Sequence, residues 1–167
     1  MEIHCLDPKG VNEYERRANI ILSEEMPSTW KAYSGLQLVG KKDQQAEFDL
    51  IIFTADRIIV VELKDWYGKL FSKNGKWVIQ RGQYQEPREN GLRSAIRAAK
   101  ILKSLILSRL KSKLSSIPYV ESCVVLTGEA TAEDLPQDEK SQVFTLDEFK
   151  KFGNPKKLNS AFGEVKS

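Results

Sequence analysis

The reading turns on Glu47-Phe48-Asp49-Leu50-Ile51-Ile52-Phe53, followed across Thr54-Ala55-Asp56 by Arg57-Ile58-Ile59-Val60-Val61-Glu62-Leu63-Lys64. The arms are rich in Ile, with Val in the second and Phe and Leu in the first, and meet at a short polar turn, which predicts two buried strands joined as a hairpin. Side chains alternate along a strand, so Glu62 and Lys64 share a face with Ile58 and Val60. On the first arm Asp49 shares its face with Glu47, Ile51 and Phe53. With the turn centred between Ala55 and Asp56, Phe53 meets Ile58 and Ile51 meets Val60. Asp49 then sits opposite Glu62, and Glu47 opposite Lys64. A slip of one residue would undo the arrangement.

Directly opposed carboxylates on paired strands have Cβ atoms about 4.5–5.5 Å apart and repel each other. They also continue an apolar face, where uncompensated charge is costly. A divalent cation taking one oxygen from each would neutralise them; Mg²⁺ favours one or two carboxylates plus waters and substrate phosphates. Lys64 reaches the same space, where an ammonium can orient or deprotonate a water or stabilise charge developing on a phosphate. A second reading stays open, in which Lys64 balances Glu47 or Glu62 at an ion-paired sheet end and no metal binds.

Residues 12–26 have helical spacing, with Asn12 as N-cap and Met26-Pro27 as the stop. Val11, Tyr14, Ala18, Ile21 and Leu22 mark the apolar face. Glu15 borders that stripe, either leaning toward the same site or acting as a boundary residue; Glu13 points away. Leu36–Val39 reads as a short strand. Gly68–Phe71 and Lys76–Ile79 flank Asn74-Gly75, a strong hairpin turn signal. Asn90–Leu110 reads as a long helix with the stripe Leu92, Ile96, Ala99, Leu102 and Ile106. Pro118 precedes a buried strand over Val120–Leu126, and Phe144 opens a short strand leading to a helix near Leu146–Phe152. The order implies a mixed α/β or α+β sandwich.

The 167 residues, 41% hydrophobic and 29% charged, suit one domain with a real core. No apolar run approaches the roughly 20 residues of a membrane-spanning helix, and Met1-Glu2-Ile3-His4 shows no signal-peptide pattern, so a cytoplasmic protein is expected. Cys5 and Cys123 exclude a disulfide scaffold and a Cys-based zinc site; the single histidine, His4, excludes the usual imidazole-based pairs unless it is recruited. The net charge of +3 conceals a basic block, Arg88, Arg93, Arg97, Lys100, Lys103, Arg109, Lys111 and Lys113 against Glu89 alone. Residues 129–150 lean acidic. The basic block reads as a contact for a polyanion or as a solvated helix face.

The stretch from Glu47 through Glu62-Leu63-Lys64-Asp65-Trp66-Tyr67-Gly68 resembles the NERD (nuclease-related) domain of the PD-(D/E)xK nuclease-like superfamily. Asn12-Glu13-Tyr14-Glu15-Arg16-Arg17 resembles its first helix, and Trp77, Cys123–Leu126 and Phe144–Phe149 fit its later elements. The resemblance spans residues 10–152 of a single domain and leaves 153–167 as a tail or the start of a linker. It implies an α/β fold, a restriction-endonuclease-like mixed sheet flanked by helices, and metal-dependent hydrolysis of nucleic-acid phosphodiesters, DNA foremost. Asp49 and Glu62, with the carbonyl of Leu63, would hold Mg²⁺ or Mn²⁺. Lys64 would act on the attacking water, with Glu15 assisting. Arg93, Arg97 and Lys100 lie in one strip suited to a phosphate backbone. The alternative is a non-catalytic nucleic-acid- or partner-binding module of the same fold within a larger defence or mobile-element protein, fused to or associated with a helicase or kinase-like module. A homodimer is also compatible. Where the family has Asn-Pro and a Gln three residues after the Pro, this chain has Asn90-Gly91 and Ser94, which leaves open what replaces the Gln.

Overall fold

Arg57-Ile58-Ile59-Val60-Val61 has no polar alternation after its first residue, the pattern of a strand covered on both faces. The computed structural model describes residues 1–116 and 118–166, without the side chain of Lys111; Ile117 and Ser167, the last residue of the expected tail, lie outside the described residues. In it this segment is central to a six-stranded mixed sheet. The strands are β1 (Glu2–Cys5), β2 (Lys31–Val39), β3 (Gln45–Phe53), β4 (Arg57–Lys64), β8 (Tyr119–Leu126) and β10 (Val143–Thr145), in that spatial order. β2, β3 and β4 are antiparallel neighbours; β4 and β8, β8 and β10, and β1 and β2 run parallel. A second sheet of four strands orders β7 (Tyr84–Arg88), β6 (Lys76–Arg81), β5 (Lys69–Lys73) and β9 (Thr131–Asp134).

Helix α1 (Glu13–Glu25) covers one face of the large sheet. Asn12 caps it by accepting the Glu15 N–H at 2.9 Å, and Ala18 and Leu22 pack with Leu50, Ile52, Ile59 and Val61. Tyr14 and Ile21, expected in that face, are exposed: the helix meets the sheet along a narrower stripe. Helix α2 (Gly91–Leu110) covers the other face, with Ala98, Ile101 and Leu102 against Phe48, Ile51, Ile58 and Val60. Two short helices, α3 (Gln137–Lys140) and α4 (Leu146–Phe149), flank β10, and α4 begins with a capping box between Thr145 and Glu148. The second sheet folds Leu70, Trp77 and Ile79 onto Leu92 and the end of β8.

Residues 153–166, part of the expected tail or linker, include a packed helix. Asn154 caps α5 (Pro155–Phe162), Leu158 is buried in the α1-side core, and Phe162 packs edge-on against Phe144. Arg57, whose side chain is fully buried, donates to Asn159 Oδ1 at 2.8 Å and to the carbonyl of Gly163 at 3.0 Å. The architecture is α/β, a restriction-endonuclease-like mixed sheet flanked by helices.

Candidate active site

The hairpin register is the expected one: Phe53 faces Ile58 and Ile51 faces Val60. The ladder ends at Leu50↔Val61, so Asp49 and Glu62 lie just past the last rung. A backbone change sits at this point. Ile51 and Phe53 pack toward α2, yet so do Ala46 and Phe48, which strict alternation would send to the opposite face. On the neighbouring strand Gly35, at φ +65°, lies between the pairs Ser34↔Leu50 and Leu36↔Phe48, level with Asp49. Both strands therefore exchange faces together, and β3 parts from β4. Asp49 lies at the point of exchange, between Phe48, which packs toward α2, and Leu50, which packs toward α1. Glu47 does not pair with Lys64; its carboxylate accepts from Gln37 Nε2 at 3.1 Å.

The parting opens a cleft of about 570 Å³ at the end of the central strands, reached from both helical layers. Glu15 and Asn12 line it from the start of α1, Ser94, Arg97 and Ala98 from α2, and Asp49, Glu62, Leu63 and Lys64 from the hairpin. Asp49 Oδ2 accepts the backbone N–H of Leu63 at 2.9 Å, taking the place of the missing strand partner. In an extended strand the N–H and C=O of one residue turn to the same edge, so the Leu63 carbonyl is directed to the side where β3 has left. The Lys64 ammonium lies 3.4 Å from Glu62 Oε1, bonds to Glu89, and stands 5.6 Å from the centre of the Trp66 ring. The four residues Glu15, Asp49, Glu62 and Lys64 thus share one cleft.

Burial dominates the electrostatics. It raises Glu62 to about 7, with the Asp49 charge adding to the rise and Lys64 opposing it. Glu15 also rises to about 7, first through burial and then through Asp49, although Asn12 Nδ2 donates to it at 3.0 Å. Asp49 is raised by burial against the opposing effects of the Leu63 N–H and Lys64. For Lys64, burial favours the neutral amine, but Glu89, Glu62 and Asp49 together outweigh it and the ammonium is favoured. The cleft carries more negative charge than its lysine balances.

Among the described residues no three His, Cys, Asp or Glu side chains form a preformed metal cage. Mg²⁺ does not require one, since it keeps waters and uses one or two carboxylates. Two partly buried carboxylates whose charge lacks full compensation, beside an outward-turned carbonyl, are a donor set of that kind.

The basic strip divides. Arg97 lines the cleft and donates to the Gln45 carbonyl at 2.9 Å. Arg93 lies over Gly75 at the β5–β6 turn, and Lys100 borders a shallow groove with Lys41 and Lys103. Ser94 faces the cleft where the family's Gln is expected. Sequence reasoning missed the role of Glu89; its being the sole acid in the basic block was the available signal. His4 stacks on Tyr33 at the far strand pair and takes no part.

Fold and cleft define an α/β protein of restriction-endonuclease-like architecture, with acids and one lysine gathered where its central hairpin splays. Residues 11–127 match the family described as NERD, nuclease-related domain, and the chain belongs to that family. It is similar to the protein named "Probable kinase PglW" of Streptomyces coelicolor, 29% identical over 139 residues, which are 81% of this chain and 9% of that relative. The chain thus spans less than a tenth of the relative's length. No solved structure matches the chain. No helix among the described residues is long and apolar enough to cross a membrane.

Proposed function

We propose that this domain is a metal-dependent nuclease hydrolysing phosphodiester bonds of nucleic acid, DNA in the first instance. The observation that supports this most directly is the convergence of Asp49, Glu62 and Lys64 in one cleft, with the Asp49 carboxylate fixed by the Leu63 N–H at 2.9 Å. Asp49, Glu62 and the Leu63 carbonyl would hold Mg²⁺ or Mn²⁺. When bound, the ion would polarise the phosphate and lower the pKa of its water. Lys64 orients the attacking water and offsets charge on the phosphate oxygens, while Glu62 and Glu89 keep its ammonium in place. Glu15 holds water at the α1 side. Arg97, at the cleft wall, contacts the phosphate backbone, and Arg93 and Lys100 extend that contact along α2.

The test is incubation of the purified chain with plasmid and with single-stranded DNA in Mg²⁺, Mn²⁺ and EDTA. Cleavage should require metal, vanish in Asp49→Ala and fall by at least about 10²-fold in Lys64→Ala; cleavage at the original rate in either variant removes the proposed site. A second reading draws support from the length of the relative named a probable kinase: a nucleic-acid- or partner-binding module attached to a kinase-like region of a larger defence or mobile-element protein. Binding without cleavage in either metal would favour it.

A further inference from the structure

The hairpin of β6 and β7 carries side chains that the hydrolytic reading does not use. Arg81 and Tyr84 are directly paired across it, so their side chains stand on the same face. The Arg81 guanidinium lies 5.8 Å from the centre of the Tyr67 ring, and its Nε donates to the Tyr67 carbonyl at 2.9 Å. Tyr67, Arg81 and Tyr84 therefore form one row. The outer two are 42% and 64% exposed, far more than buried aromatics such as Trp77 at 0%. Core packing does not account for two tyrosine rings in water beside an arginine that pairs with no carboxylate among the described residues.

The row is held in place. Gly68 lies so close under it that a Cβ there would fall 2.5 Å from the Gln80 carbonyl and 2.9 Å from Arg81 Cγ. That close approach brings Tyr67 over Arg81 directly after the strand that ends in Lys64. Trp66, which precedes Tyr67, lines the cleft. Flat exposed rings with a planar cation over one of them suit the faces of unpaired bases, and the charge suits the phosphates between them. A duplex hides its base faces by stacking, so it gains little from such a row.

We infer that Tyr67, Arg81 and Tyr84 form a stacking platform for a single-stranded segment of nucleic acid beside the cleft. The inference rests on the nucleic-acid reading above and adds that the strand entering the cleft is unpaired. Binding is measured by fluorescence anisotropy in EDTA, so no cleavage intervenes. The probes are a fluorescein-labelled oligothymidine, an abasic strand with the same number of phosphates, and a duplex. The intact chain should prefer the base-bearing strand over the abasic one, each stacked base supplying roughly 5- to 150-fold. Tyr84→Ala and Tyr67→Ala should each lose the factor of one stacked base while binding the abasic strand as before, and Tyr84→Phe should keep the whole preference. Melting curves of the variants check that they fold; Tyr84, at a hairpin end, serves if Tyr67→Ala does not. An intact chain that binds both strands alike, or a Tyr84→Ala variant that keeps the full preference, overturns the platform; metal-dependent cleavage requiring Lys64 would still uphold the nuclease reading. Absence of both binding and cleavage overturns both.

Discussion

Asp49 accepts a hydrogen bond from the backbone of Leu63 where the next rung of the β3–β4 ladder would fall. One residue thus ends a ladder and presents a carboxylate to a cleft. Asp49→Asn should separate these roles, because the amide oxygen can still accept the Leu63 N–H while the charge is lost. Its thermal stability in EDTA should equal or exceed that of the original chain, since a partly buried charge is removed. Metal-dependent cleavage should disappear. A marked drop in melting temperature would show the charge itself to be structural.

The pH dependence of the metal-free fold follows from Glu15 and Glu62, both raised to about 7. A raised carboxyl favours the protonated folded state. Its contribution is therefore full below the unfolded value near 4.5 and is lost as pH rises through about 7. Melting temperature in EDTA should fall between those limits. At pH 8 a bound divalent cation should reverse the loss, by about 2.7 kcal/mol at a hundredfold excess over its Kd. A flat profile in EDTA would contradict the buried-acid account.

Glu89 bonds to the Lys64 ammonium from the stretch before α2. Glu89→Gln removes one of the charges that favour protonated Lys64. The alkaline limb of the cleavage profile should then move to lower pH, with cleavage retained at pH 7. Lys64→Ala should instead cost about 10²- to 10⁴-fold in rate. An unshifted limb would mean that Lys64 does not set it.

Arg97 and Lys100 sit on the same helix, but only Arg97 lines the cleft. Arg97→Ala should lower the slope of log affinity against log salt for single-stranded DNA by about 0.7, one phosphate contact. It should also slow cleavage, whereas Lys100→Ala should lower the slope alone. Equal effects on cleavage would place the backbone path along the whole helix.

Leu158→Ala should cost about 2–5 kcal/mol, the range for emptying a buried leucine site. Urea melts of this variant would show that residues beyond 153 are part of the cooperative unit; a change near zero would make α5 an appendage.

The central hairpin was legible because its signal is local: two β-branched runs and a short turn fix the register. The exchange of faces at Asp49 was not, because it depends on Gly35 in a partner strand. Strand β1 has one partly buried apolar residue, Ile3, and exists through pairing with β2. Strand β7 contains Pro87, which fits an edge strand but weakens any prediction of one. Helix α5 did carry a readable start, Asn154 before Pro155, masked by its lysines. Asp49, Glu62 and Lys64 stand out in the sequence because charge at the end of an apolar strand is conspicuous. Glu89 was missed because its partner is distant in sequence.

The strand that carries Glu62 and Lys64 is paired along its length with β8, from Arg57↔Tyr119 to Lys64↔Leu126. Such a contact forms late, because a long loop must close before it brings any gain. At synthesis rates of roughly 5–20 residues per second, the nascent chain holds all of its reactive side chains for several seconds before the partner strand exists. In that interval β4 is an open edge. The strand that completes the cleft therefore also sets its timing: a growing chain acquires a finished site only when its central sheet closes.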